Sequence, residues 1–214
     1  GLQSGGLPLV VGTHALLQED VVFSRLGLVV VDEQHRFGVA QREQLTQKSA
    51  HAHTLVMTAT PIPRSLALSL YGDLEVSVLD ELPPGRLPVR TAMRSPDRRD
   101  RIFAFVAEQV AAGRQAYIVY PTIEESAESD LLSAETAYEE LSQGALSGLR
   151  VELIHGRLST EEKRSAMTRF AAGETDVLVA TTVIEVGVDV ANATVMVIEH
   201  AERFGLAQLH QLRG

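Results

Sequence analysis

The chain has 214 residues, a net charge of −9, 45% hydrophobic residues, and neither Cys nor Trp. That is enough apolar material for one large core or two small ones, with charge too interspersed for a disordered chain. Disulfides and thiolate metal sites are excluded, as is a membrane-spanning helix, since no apolar run approaches ~18 residues. The acid excess argues at first against a nucleic-acid partner. Yet seven acids and no base fall between Glu124 and Glu140, which leaves the rest of the chain near −2.

In chain order, the opening "GLQSGGLPLVVGTH" has no basic n-region and no cleavage pattern, so no signal peptide is expected. Leu7–Val11 reads as a first strand, Leu28–Val31 as a second and Thr54–Met57 as a third. Pro61 and Pro63 then delay a helix that begins near Pro63 and ends near Gly72. The run "DELPPGRLPVRT" (Asp80 to Thr91) has three prolines, a glycine and no helical period, and reads as a linker. It divides the chain into residues 1–85 and 86–214. In the second part, Ser95 and Pro96 offer an N-cap and a first helical Pro, and Gly113 a stop. Strands follow at Gln115–Tyr120, Val151–Ile154, Val177–Ala180 and Thr194–Ile198. Ala127, Leu131, Ala134, Tyr138 and Leu141 form an apolar stripe at helical spacing, so the acidic stretch reads as a solvated helix face. Ser159-Thr-Glu-Glu162 reads as a capping box on a helix ending near Gly173. Apolar strands alternating with helices predict an α/β fold with parallel sheets buried on both faces.

"LGLVVVDEQHRFGV" (Leu26 to Val39) puts two carboxylates at the tip of an apolar strand. Ligands of open α/β sheets bind beyond the carboxyl ends of strands. Neighbouring side chains point opposite ways along a strand, so Asp32 and Glu33 should have different jobs. One can hold Mg²⁺ through water, since that ion prefers hard oxygen ligands; the other can orient or deprotonate an attacking water. Gln34 and His35 can sense a phosphate or couple the site to a neighbouring element. Taken alone, the pair reads equally well as an acidic turn opening a helix. "HTLVMTATPIPRSLAL" adds a strand running into the small hydroxyl loop Thr58-Ala59-Thr60. His51 and His53, with no further ligand nearby, read as loop residues rather than a metal site.

"VVDEQHRFG" with "TATPIPR" resembles motifs II and III of the superfamily 2 helicases and translocases. "VGTHALL" (Val11 to Leu17) resembles motif Ib, "YIVYPTIEES" motif IV and "IHGRLSTEEK" motif IVa. "VATTVIEVGVDV" resembles motif V, and "AQLHQLRG" the start of motif VI. The order is right and essentially the whole chain is covered. With "DELPPGR" and "ERFGLAQLHQLRG", the combination is most similar to the branched-DNA helicases of that superfamily. The transcription-repair coupling factors share "TATPIPR" but typically read DEEH where this chain has DEQH. They remain an alternative, as does a non-catalytic nucleic-acid-binding module.

The resemblance implies two RecA-like lobes clamping ATP between them, the first lacking its N-terminal part here. It implies an ATP-dependent double-stranded-DNA translocase or helicase that remodels stalled forks and Holliday junctions in recombination and repair. By the same resemblance Asp32 holds Mg²⁺ and Glu33 activates water. Gln34 and His35 then couple hydrolysis to Thr58 and Thr60. Glu185, Gly187 and Asp189 of motif V lie at the nucleotide, Asp189 near the ribose and Gly187 where backbone must approach closely; taken alone, "VGVDV" reads as a turn between sheet elements. Thr13, His14, Arg157, Thr181 and Thr182 are candidate contacts to DNA phosphates, which need hydroxyls, backbone N–H groups and few charges. Arg157 alternatively reads as a structural ion pair. Branched or double-stranded DNA is the implied partner, with a single-stranded-DNA-binding protein as a second. A monomer in the bacterial cytoplasm, at the nucleoid and away from membranes, is the implied setting.

The departures from the pattern matter too. A P-loop needs Gly-Lys-Ser/Thr, but Gln47 precedes Lys48 and Glu162 precedes Lys163, the only two lysines. The run "QLRG" stops where motif VI would supply arginine fingers. The expectation is the middle of a motor, with a junction-splitting domain upstream, a translocation hairpin downstream, and no useful ATP hydrolysis by these 214 residues alone.

Overall fold

The fold is taken from a computed structural model, which describes residues 1–33, 44, 47–48, 52–58, 75–81, 87–121, 127–181 and 190–213, the side chains of 127–133 excepted. The chain divides into two compact units, Gly1–Asp80 and Glu81–Gly214. Both carry parallel sheet, as the alternation of apolar strands and helices predicts.

In the first unit, β1 (Leu28–Asp32) pairs in parallel with β2 (His53–Met57), with Leu28 opposite His53 and Asp32 opposite Met57. β-Branched residues dominate β1, which favours the pleated conformation. Val29 and Val31 share the inner face with Thr54 and Val56, and Val31 is buried. Leu28, Val30, Leu55 and Met57 lie on the other face and are exposed among the described residues, so the expected two-sided burial is not seen here. Leu7–Val11 is not a strand. Pro8 lacks the N–H a ladder needs, and Leu7, Leu9 and Val11 are exposed with no strand partner among the described residues. His53 is the first residue of β2 rather than a loop residue. The helix expected near Pro63–Gly72 lies outside the described residues, as does His51.

The second unit has a four-stranded parallel sheet in the order β4 (Val151–Ile154), β5 (Val177–Thr181), β3 (Gln115–Tyr120), β6 (Ala193–Ile198). Four helices pack on it: α1 (Arg99–Ala111), α2 (Ala127–Gln143), α3 (Thr160–Ala171) and α4 (Leu206–Arg213). Strand alternation sorts the core into two layers. Ala116, Ile118 and Tyr120 of β3, with Val177 and Val179 of β5, face Phe103 and Val106 of α1 and Ala137 and Leu141 of α2. Tyr117 and Val119, with Leu178 and Ala180, face Ala166, Met167 and Phe170 of α3, and Leu209 and Leu212 of α4 pack against this second layer. Every residue of β3 and β5 is buried, as a central strand covered on both faces requires. Phe103 and Phe170 are fully buried, each worth about 1.5–3 kcal/mol of transfer free energy. The Phe170 ring also meets Tyr117 at 4.8 Å between centroids. The crossover through α2 runs from β3 outward to β4 on one face. That through α3 returns to β5 on the other, as two crossovers of one hand must.

Helix α1 begins later than its punctuation suggests. Ser95 makes no side-chain cap; its hydroxyl bonds Asp97, and Pro96–Arg98 form a 3-10 turn before the α-helix starts at Arg99. The other signals hold. Gly113 and Gly173 take φ of +83° and +74° at the helix ends, a region where a Cβ is strained. The Ser159 box is reciprocal, with Ser159 N–H donating to Glu162 Oε2 at 2.7 Å and Glu162 N–H to Ser159 Oγ at 3.2 Å. On the acidic helix α2, Ala134 and Leu141 are buried and Tyr138 packs against the first core layer. One polar group sits at the base of the sheet. The buried Gln115 Nε2 donates to Phe170 O at 2.6 Å and Thr175 O at 2.7 Å, while its Oε1 accepts from Asn192 Nδ2 at 3.2 Å. It ties the start of β3 to the end of α3 and the start of β6.

Candidate nucleotide and nucleic-acid sites

The two acids at the end of β1 differ in exposure. Asp32 is exposed, and its Oδ1 accepts from the Glu33 N–H at 2.9 Å. Glu33 is half-buried, with Oε2 shielded from solvent. The same Glu33 N–H lies 3.1 Å from Met57 O, one residue before Thr58. The backbone of the acidic pair is thus bonded to the strand that delivers the hydroxyl loop. Glu33 also adopts φ +51°, a left-handed conformation uncommon outside glycine and enriched where function holds a residue in place. Thr58 is exposed at the mouth of β2. Gln34, His35 and Thr60 lie outside the described residues.

Mg²⁺ commonly keeps several waters and takes one or two carboxylates plus phosphate oxygens. An exposed Asp32 with one oxygen engaged by a single N–H suits that demand. Among the described residues no group of three or more His, Asp or Glu is placed to hold a metal ion by itself.

Elsewhere in this unit, Thr13 Oγ1 accepts from Ala15 N–H at 3.4 Å and caps the 3-10 turn His14–Leu17. Thr13 and His14 are both exposed. The Lys48 ammonium donates to Gln18 O at 2.6 Å and Val21 O at 2.5 Å, holding the turn that follows.

In the second unit the strands end at Tyr120, Ile154, Thr181 and Ile198, all on one edge of the sheet. Beyond β4 the chain makes a tight turn closed by Leu158 N–H to His155 O, with Arg157 exposed on it. The Ser159 side chain and backbone N–H hold the Glu162 carboxyl below the usual carboxylate range. Thr181 is buried, 4% exposed, which separates it from the exposed phosphate candidates. Thr182, Glu185, Gly187 and Asp189 lie outside the described residues.

Beside Tyr120 is a group that sequence patterns missed. Arg99 Nε donates to Glu199 Oε1 at 3.0 Å, and its Nη2 to the Tyr120 hydroxyl at 3.3 Å. Burial pushes the Tyr120 phenol up. Burial works against the Arg99 charge, yet hydrogen bonds to Glu199 and Tyr120 lift it above its ordinary value. Glu199 N–H donates to Val119 O at 2.9 Å. His200 then takes φ +52°, Ala201–Arg203 form a 3-10 turn, and Gly205 N–H bonds Gln208 Oε1 at 3.0 Å as α4 begins. The end of β6, which leads on to α4, is therefore anchored to β3 through backbone and to α1 through charge.

Parallel sheets with acids at a strand end are features of the helicase class of α/β folds. The chain belongs to the family of the helicase conserved C-terminal domain, whose model matches residues 98–214; the DEAD/DEAH box helicase family matches residues 2–68. More particularly, the chain is similar along its whole length to the ATP-dependent DNA helicase RecG. It is 58% identical over 214 residues to RecG of Thermotoga maritima and 57% identical over 213 residues to that of Synechocystis sp.. It spans about a quarter of those relatives' length, 27% and 26%. A solved structure of RecG bound to a three-way DNA junction matches all of this chain and 27% of its own, at 54% identity and a TM-score of 0.73. The yeast Dbp5 L327V structure with RNA and ADP BeF3 matches 86% of this chain and 47% of its own, at 15% identity and a TM-score of 0.55, and shares the fold. Among the described residues, no helix is long and apolar enough to cross a membrane.

Proposed function

We propose that this chain is the central motor segment of an ATP-dependent, double-stranded-DNA translocase that remodels branched DNA. The two units correspond to the C-terminal part of the first helicase lobe and to the second lobe. The observation that carries the reading is the whole-chain likeness to RecG, including a chain solved on a three-way junction.

In this reading Asp32 holds Mg²⁺ through water, and the ion neutralises phosphate charge when bound. Glu33, turned inward and shielded, orients the attacking water and takes up its proton. The Glu33 N–H bond to Met57 O carries a change at the acid toward Thr58, and Gln34, His35 and Thr60 extend that coupling. Glu185, Gly187 and Asp189 face the nucleotide from motif V. Thr13, His14, Arg157 and Thr182 meet DNA phosphates, and the buried Thr181 closes β5 immediately before Thr182 in the chain. Branched DNA is the principal partner, and a single-stranded-DNA-binding protein a second.

The test is Glu33→Gln in a full-length protein carrying this chain. The amide keeps the shape but cannot accept a proton, so DNA-stimulated ATP hydrolysis should fall about 10²–10⁴-fold. Binding of a fluorescent ATP analogue should persist. Unchanged steady-state turnover would remove Glu33 from its assigned role.

A further inference from the structure

Seventeen of the nineteen basic side chains are arginine, and only Lys48 and Lys163 are lysine. Both ammonium groups rest on backbone carbonyls of turns. Lys48 holds Gln18 O and Val21 O, and Lys163 Nζ donates to Gly156 O at 2.9 Å. The choice has a chemical logic. A carbonyl offers a point acceptor, which suits a compact ammonium with three rotatable donors; the planar guanidinium fork suits carboxylates. Arginines here do take carboxylates: Arg99 bonds Glu199, Arg150 bonds Asp176 and Arg169 bonds Glu152.

Gly156 immediately precedes Arg157, so Lys163 grips the peptide group that carries Arg157. That peptide is planar and trans, so its N–H points opposite to its carbonyl. Fixing Gly156 O on Lys163 therefore fixes the Arg157 N–H and the direction in which its side chain leaves the turn. The rest of the turn is held as firmly. Leu158 N–H donates to His155 O at 3.3 Å, the Ser159–Glu162 box closes its far end, and Leu158 packs on the second core layer. The Gly156–Arg157 peptide lies inside the turn that the first of these bonds closes. Lys163 sits one turn into α3, close enough to reach back over it.

We infer that Lys163 is a positioning residue, which aims Arg157 at a nucleic-acid phosphate through the Gly156 carbonyl rather than contacting the phosphate itself. This rests on the reading of Arg157 as a phosphate contact. The two ideas separate in a double-mutant cycle on a full-length protein carrying this chain. Affinity for a synthetic three-way DNA junction is measured against salt for Lys163→Met, Arg157→Ala and the pair. Arg157→Ala lowers the log–log salt slope by about one or less. Lys163→Met, which keeps the aliphatic stem and loses the donor, weakens binding about 3- to 10-fold alone but less than about 2-fold beside Arg157→Ala, because effects through one shared partner do not add. Lys163→Arg, which keeps the charge but fits a single carbonyl less well, recovers only part of the loss, and Lys163→Gln stands in should the Met variant unfold. Equal losses from Lys163→Met in both backgrounds, with a slope drop of their own, would make Lys163 an independent phosphate contact and overturn the inference. Unchanged affinity and slope in Arg157→Ala would sink the phosphate reading of the turn, and the inference with it.

Discussion

The left-handed backbone at Glu33 yields a stability test that needs no nucleotide. Two substitutions, Glu33→Ala and Glu33→Gly, remove the same carboxylate and every contact it makes. They differ only in a Cβ on a residue with φ +51°. For an L-residue the left-handed region costs roughly 1–2 kcal/mol through the clash of Cβ with the following carbonyl. Glycine escapes that clash but loses about 0.5–1 kcal/mol in extra chain entropy on folding. The Gly variant should therefore be more stable than the Ala variant by about 0.5–1 kcal/mol, the reverse of their order in a helix or strand interior. Urea unfolding followed by circular dichroism, with the slope held common, measures the difference. Neither variant should retain the hydrolysis assigned to Glu33 in a full-length protein. An Ala variant as stable as the Gly variant, or more so, would refute the strain and with it the idea that stability is given up at this acid to place a carboxylate.

Two further outcomes follow from the second unit. Gln115→Leu keeps the volume near that of the amide but removes both donors from Phe170 O and Thr175 O, so unfolding free energy should fall by about 2–4 kcal/mol, read from the urea midpoint; a loss under about 0.5 kcal/mol would show those carbonyls satisfied elsewhere. Arg150 holds the Asp176 carboxyl below its ordinary value, so the pair stabilises the fold above the unfolded carboxylate pKa of about 3.9 and stops doing so as pH falls through the lower folded value. Arg150→Ala should raise the pH of acid unfolding, and the gap from the parent should close at the acid end and narrow in salt; a gap that grows with acid would reverse the sign of the argument.

Much of the second unit was legible in the sequence because its signals are local. Strand positions follow from apolar runs of four to six residues, and helix ends from Gly113, Gly173 and the Ser159 box. The failures were local signals without the partner they need. Leu7–Val11 has the composition of a strand, but composition does not supply a neighbouring strand, and Pro8 weakens any ladder. Ser95 has the chemistry of an N-cap, yet its hydroxyl bonds the Asp97 carboxylate instead of a backbone N–H, and the α-helix waits until Arg99.

The candidate site shows the same division more sharply. Asp32 and Glu33 can be found from a strand ending in acids, because alternation and the strand-end rule are both short-range. The ties that brace the sheet of the second unit are not short-range. Arg99 meets Glu199 across 100 residues, and Gln115 meets Thr175 across 60. Neither pair leaves a spacing that a single sequence could reveal. The backbone bond from Glu33 to Met57 involves no side chain at either end, so substitution patterns would be nearly silent about it. Motifs name the groups that touch a ligand, whereas the geometry that makes those groups useful resides in carbonyls, N–H groups and distant ion pairs. That is why the Gly156 carbonyl beneath Arg157, invisible as a residue type, is the place where the fold acts on a candidate phosphate contact.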